Sequence, residues 1–91
     1  MRILYTKHAS RKFSEERYVK QLKITKSVVK NIIKNPDIID DTRGEKITAI
    51  GKIDLNHSLI VVYKIVENAA RIITFYPAER GRYESKILQR G

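Results

Sequence analysis

Pro36, with Asn35 before it, divides the chain into two stretches of different periodicity. A residue preceding proline is driven out of the α region, and proline has no N–H to give a helix. Upstream, Val28, Val29, Ile32 and Ile33 recur at helical spacing behind a capping Thr25. Downstream, Ile47, Ala49, Gly51 and Ile53 alternate, the period of a strand with one buried face. A chain divided in this way segregates helix from sheet. The expectation is an α+β fold, with two N-terminal helices packed on one face of a mainly antiparallel sheet of about four strands.

The rest of the chain fills in that outline. Arg2 to Thr6 reads as an edge strand, and Thr6 as the cap of a helix starting at Lys7. That first helix runs through residues 7–21 without Gly or Pro, but its apolar spacing slips after Phe13, which points to a break near Ser14 or to partial exposure. After Pro36, Ile38 to Thr42, Lys46 to Asp54, Ser58 to Val66 and Arg71 to Tyr76 read as strands, the last stopped by Pro77. The turns between them are short, which favours an antiparallel meander. With helices on one face, the other sheet face is expected to be open, lined by Thr48, Ile50 and Lys52, or by Lys64, Thr74 and Tyr76, depending on register. The tail from Gly81 fits helix or strand equally. With 91 residues the chain makes one domain spanning 1–91, with little room for an enclosed cavity.

Nineteen Lys and Arg against ten Asp and Glu give a net charge of +9. The excess sits at the ends: residues 1–34 carry ten basic and two acidic side chains, and residues 71–91 carry five and two. If the ends meet in the fold they form one positive face, suited to a polyanion such as RNA or to an acidic protein. The plainer reading is a charge that keeps a small domain soluble. Lys26, Lys30 and Lys34, four apart, read more simply as a solvated helix face than as a phosphate rail. The chain has no cysteine, which removes thiolate chemistry and zinc–thiolate sites. It has no apolar run long enough to span a membrane and no apolar leader, so a soluble, cytoplasmic protein is expected. There is no Gly-rich phosphate loop and no His-Glu-x-x-His. Glu15-Glu16 and Asp40-Asp41 are adjacent pairs whose side chains diverge, so neither makes a magnesium clamp, and no metal or cofactor is expected.

Metal-free RNA cleavage needs a group to move the 2′-hydroxyl proton, a cation for the charge gathering on phosphorus, and a proton for the leaving oxygen. His8, Arg11 and Lys12 fall within one helical turn and can face the same way. The late strand and the tail add Arg71, Thr74, Tyr76, Arg80, Arg82 and Tyr83. Arginine pairs with phosphate in a bidentate fashion, and tyrosine stacks on a base. The plainer reading leaves His8 packing at a helix start and the tyrosines as rim aromatics.

Lys7-His8-Ala9 with Arg11 and Arg17, Ile24-Thr25 followed by Val28 to Pro36, and the strand ending Ile72-Ile73-Thr74-Phe75-Tyr76-Pro77 together resemble a family of small prokaryotic domains of unknown function. Members commonly carry a His-Ala and an Arg in the first helix, an Asn-Pro after the second, and a Thr near the end of a late strand. The family is usually grouped with the RelE/ParE toxin-like fold. The resemblance implies a toxin-like, metal-independent endoribonuclease. It marks His8, Arg11 or Arg17, and Thr74 as site residues, with Arg82 and Tyr83 eligible near the C-terminus. It further implies RNA contacts at basic residues on the sheet and tail, for which Lys52, Lys64, Arg71 and Arg80 are eligible, beside the Lys12 and Tyr76 read above as RNA contacts, and an acidic antitoxin as a partner. The alternative is a non-catalytic nucleic-acid-binding or protein-interaction module on the same fold. One departure stands out: where such proteins carry a Gly before the isoleucine, this chain has Lys23.

Overall fold

A computed structural model describes residues 1–79. Its elements run β1 (Arg2–Tyr5), α1 (Lys7–Glu15), α2 (Arg17–Gln21), α3 (Lys26–Lys34), β2 (Ile38–Arg43), β3 (Lys46–Lys52), β4 (His57–Val66) and β5 (Ala69–Glu79). The strands form one sheet in the order β1-β5-β4-β3-β2. The last four make the expected antiparallel meander, while β1 joins the far edge parallel to β5. The sheet therefore has five strands rather than about four, and three helices stand in place of two.

The extra helix comes from the break foreseen near Ser14. Glu16 takes an extended backbone (φ −87°, ψ 123°), which ends α1 and starts α2 in a new direction. The turn lets each short helix bury its own apolar residue, Ala9 from α1 and Val19 from α2, which one straight helix cannot do with this spacing. Thr25 caps α3 by accepting a hydrogen bond from the Val28 N–H. Val29 and Ile32 then bury the α3 stripe against the sheet. Each such side chain contributes roughly 1.5–3 kcal/mol by leaving water.

Ala49, Leu59, Val61, Tyr63, Ala70, Ile72 and Phe75 form the sheet side of this core. The opposite face carries Thr48, Ile50 and Lys52 on β3, Ser58, Ile60, Val62 and Lys64 on β4, and Arg71, Thr74 and Tyr76 on β5, as the pairing shows. Register thus places both of the expected sets on one face. That face is not uniformly open, because Ile50, Ser58 and Ile60 are fully buried. Its other end, around Arg71 and Lys46, is exposed.

Arg71 and Thr74 share a face only because β5 is bulged. Val62 opposes Thr74 but Tyr63 opposes Ile72, so Ile73 is an extra residue in the pairing. Regular alternation would have placed residues three apart on opposite faces.

Pro77 does not stop β5, contrary to the expectation from sequence. The Phe75 carbonyl points away from β4, since it accepts a hydrogen bond from the Tyr18 hydroxyl at 3.2 Å. Two residues on, the Pro77 nitrogen faces the same side, beyond the end of β1. No ladder bond is lost there, so proline is tolerated.

Candidate functional site

The edge of β5 beyond β1, unpaired by any strand among the described residues, is where helix and sheet groups converge. Thr6 makes the junction. Its N–H donates to the Ile72 carbonyl at 3.1 Å, and its hydroxyl donates to the carbonyl of the bulged Ile73 at 3.2 Å. The same hydroxyl oxygen caps α1 by accepting from the Ala9 N–H at 3.1 Å. One threonine therefore pins the first turn of α1 to the bulge, and the bulge presents Thr74.

His8 lies in that first turn. Its Nε2 sits 3.4 Å from the Thr74 hydroxyl oxygen, joining residues 66 apart in sequence. One turn further along α1, Lys12 donates from Nζ to the Tyr18 hydroxyl at 3.0 Å. The Lys12 ammonium also lies 5.6 Å from the Tyr18 ring centre and 5.8 Å from that of Phe75. The order along the edge is a histidine with a hydroxyl, then a cation held by the hydroxyl and ring of Tyr18 and by the ring of Phe75. Such an arrangement places an exposed acid–base group one helical turn from a half-buried positive charge.

Of the residues marked from sequence, the structure joins His8 and Thr74 directly and adds Lys12. Arg11 is exposed three residues after His8 on the same helix. Arg17 is exposed at the start of α2. Tyr76 follows Thr74 on the same face, two residues on, and is 37% exposed. Lys64 and Arg71 are directly opposed across β4 and β5. Lys52 is on that face too, but six residues along β3 from the level of Lys64, about 20 Å at ~3.3 Å per residue. Arg80, Arg82 and Tyr83 lie outside the described residues.

Two features were not foreseen. His57 has a partner: the Asp54 carboxylate lies 3.0 Å from its Nδ1 and also accepts the backbone N–H groups of Asn56 and His57, each at 2.7 Å. The Asn56 bond above all holds the Asp54 carboxyl below the usual carboxylate range; burial opposes it, and the individually weaker His57 contacts reinforce it. The signal was there as an Asp three residues before a His in a turn. Second, Lys46, exposed at the start of β3, takes up the level of Lys64 on the same face. On the core side, burial raises the Tyr5 and Tyr63 phenols above their ordinary value, which unsuits both as proton donors.

Residues 5–77 match a family described as a domain of unknown function, DUF4258. The chain belongs to the DUF4258 family. The match takes in both His8 and Thr74, so the histidine–threonine contact lies inside the DUF4258 domain. No curated protein and no solved structure matches the chain. The DUF4258 description names no activity and makes no link to RelE/ParE proteins. Among the described residues of this DUF4258 domain, no helix is long and apolar enough to cross a membrane.

Proposed function

We propose that the β5 edge is the reactive centre of a toxin-like endoribonuclease that works without a metal, on a RelE/ParE-like fold. The observation that carries the reading is the His8 Nε2 beside the Thr74 hydroxyl, exposed and one helical turn from a fixed ammonium. Neutral His8 takes the proton of an RNA 2′-hydroxyl. The freed oxygen attacks the adjacent phosphorus, and the bond to the 5′-oxygen breaks. The products are a 2′,3′-cyclic phosphate and a 5′-hydroxyl, whose proton comes from the imidazolium just formed or from water. Lys12 and Arg11 offset the charge that builds on the phosphoryl oxygens. Thr74 orients the ring, and Tyr76 offers a stacking surface for a base. A long histidine–hydroxyl contact is ordinary in a free enzyme and tightens on substrate. An acidic antitoxin-like protein is the natural partner to cover so basic an edge.

The test is labelled RNA incubated with the protein in EDTA, alone and in a translating extract, beside His8→Ala and Thr74→Val variants. Cleavage should fall by about 10²–10⁴-fold in His8→Ala, the usual worth of an acid–base group, while RNA affinity holds within a few-fold. Equal losses of cleavage and binding would remove His8 from the chemistry. Salt-sensitive binding with no strand cut under either condition would reduce the site to a non-catalytic RNA-binding surface.

A further inference from the structure

The face of the sheet turned away from the helices carries a line of positive charge that crosses the strands. Lys64 on β4 is directly opposite Arg71 on β5. Ile47 pairs with Tyr63, so one residue back Lys46 takes the place beside Lys64. Lys46 in turn pairs with Arg43 on β2. Four neighbouring strands thus each put one basic residue at the same level, in the order Arg43, Lys46, Lys64, Arg71. The line is about 14 Å long at backbone level, from the ~4.8 Å spacing of neighbouring strands.

Two irregularities build this line. On β5, regular pairing continued from Val62 and Thr74 would set Ile72 against Lys64; the bulge at Ile73 sets Arg71 there instead. On β2, pairing continued from Asp40 and Thr48 would set Thr42 against Lys46; a register shift sets Arg43 there instead. Each shift exchanges an uncharged residue for an arginine. Like charges directly opposite in a sheet repel, so the exchange works against folding stability. Arg43 is partly neutralised by Asp40, at 3.6 Å. Among the described residues, no carboxylate pairs with Lys46, Lys64 or Arg71. A row of four cations, three of them without a carboxylate partner among the described residues, assembled by two separate departures from regular pairing, is a surface arranged for an external chain of negative charges.

We infer that this row binds the sugar–phosphate backbone of single-stranded RNA, running across the strands as far as Arg71, where β1 stands beyond β5, and turning there along β5 toward Thr74. The inference rests on the proposed ribonuclease reading for its choice of polyanion. It adds the path of the substrate. Arg71 shares its face with Thr74, the next position along β5. A strand lying on Arg43, Lys46 and Lys64 that turns along β5 at Arg71 therefore brings its next phosphate toward Thr74 and His8. The row holds the substrate at several phosphates without reading its bases, so binding is steeply salt-dependent and tolerant of sequence.

The experiment measures fluorescence anisotropy of a labelled single-stranded RNA twelve nucleotides long as a function of salt. The protein carries His8→Ala to keep the RNA whole, with and without Lys46→Ala, Lys64→Ala and Arg71→Ala; Lys30→Ala on α3 serves as control. Each row substitution should lower the slope of log K against log salt by about 0.7, and the triple variant by about 2. The melting temperature should hold or rise as repulsion is relieved, which separates lost contacts from damaged folding. With His8 intact, the triple variant should lose cleavage of the twelve-nucleotide RNA at limiting substrate but keep most cleavage of a dinucleotide. Unchanged salt slopes in the row variants would overturn the inference while leaving the ribonuclease reading to its own assay. Slopes that fall in a protein that cuts nothing would sustain the row and remove the ribonuclease reading. Polyglutamate binding as tightly as the RNA, and losing its salt slope in the same variants, would overturn the assignment to RNA and give the row to an acidic protein segment.

Discussion

Gly51 sets how closely α3 seats on the sheet, and replacing it with alanine gives a prediction whose sign depends on two opposed terms. Gly51 sits in extended backbone within β3, away from the positive-φ positions. On backbone grounds alone, Gly51→Ala should stabilise by about 0.4–1 kcal/mol, because the unfolded chain loses freedom. The packing term opposes this. A Cβ built at Gly51 lies 2.9 Å from Cγ1 and 3.4 Å from Cγ2 of Ile32. Ile32 is 3% exposed, and a β-branched side chain in a helix has essentially one rotamer, so it cannot turn aside. The helix must move instead, and overpacking of this kind costs about 1–3 kcal/mol. The packing term wins, with a net loss of about 1–2 kcal/mol. For a domain of this size that lowers the melting temperature by about 4–15 °C. Thermal and urea unfolding should be followed for Gly51→Ala, Ile32→Ala and the pair. Ile32→Ala alone should cost about 2–5 kcal/mol, but it removes both offending carbons. In that background Gly51→Ala should become neutral or stabilising. A melting temperature unchanged or raised by Gly51→Ala alone, or the same penalty with and without Ile32, would refute the reasoning.

Further outcomes follow from the same geometry. Tyr18→Phe removes the acceptor of Lys12 and the donor to the Phe75 carbonyl, so it should cost about 1–2 kcal/mol in urea unfolding and loosen amide exchange along the β5 edge. Lys23 holds φ +55°, a conformation that costs an L-residue about 1–2 kcal/mol and costs glycine nothing, so Lys23→Gly should hold or raise the melting temperature where Lys23→Val lowers it. Asp54 has its carboxyl held below the unfolded value, so its contribution is present above pH ~4 and fades as pH falls through the lower folded value. Asp54→Asn should therefore lower stability at neutral pH and leave a shallower loss on acidification; an unchanged acid limb would count against the turn's role.

Much of the fold was legible in local pattern. Thr6 and Thr25 cap helices where a Thr precedes a helical spacing, and the alternation from Ile47 to Ile53 marks the buried side of β3. What local pattern does not carry is pairing between distant segments. The parallel partner of β1 lies more than sixty residues away, and four residues of strand hold no mark of it. The bulge at Ile73 is hidden because Ile72 and Ile73 are both apolar, so a slip by one leaves the hydropathy unchanged. The same masking concealed the arrival of Arg71 on the face of Thr74, while the shift that brings Arg43 beside Lys46 falls among polar residues, Asp41 and Thr42, whose hydropathy marks no face. Pro77 misled because only the edge position of the strand makes its missing N–H harmless. His8 and Thr74 were marked together by resemblance; spacing alone gave His8, Arg11 and Lys12 on one helix face, and no reason to join them to β5.

The parallel docking of β1 on β5 also sets when the candidate centre comes into being. His8 and Thr74 are 66 residues apart in the chain. At a synthesis rate of about 5–20 residues per second, roughly 3–13 s separate their emergence from the ribosome. Through that interval the growing chain can form α1 and much of the meander, but it carries an imidazole with no hydroxyl to face. Closing β1 onto β5 is the contact of greatest sequence separation in the molecule's described part, and it bears the largest loop-closure cost. A nascent chain that stalls before β5 is therefore chemically inert at this edge, whatever the edge does once it is complete.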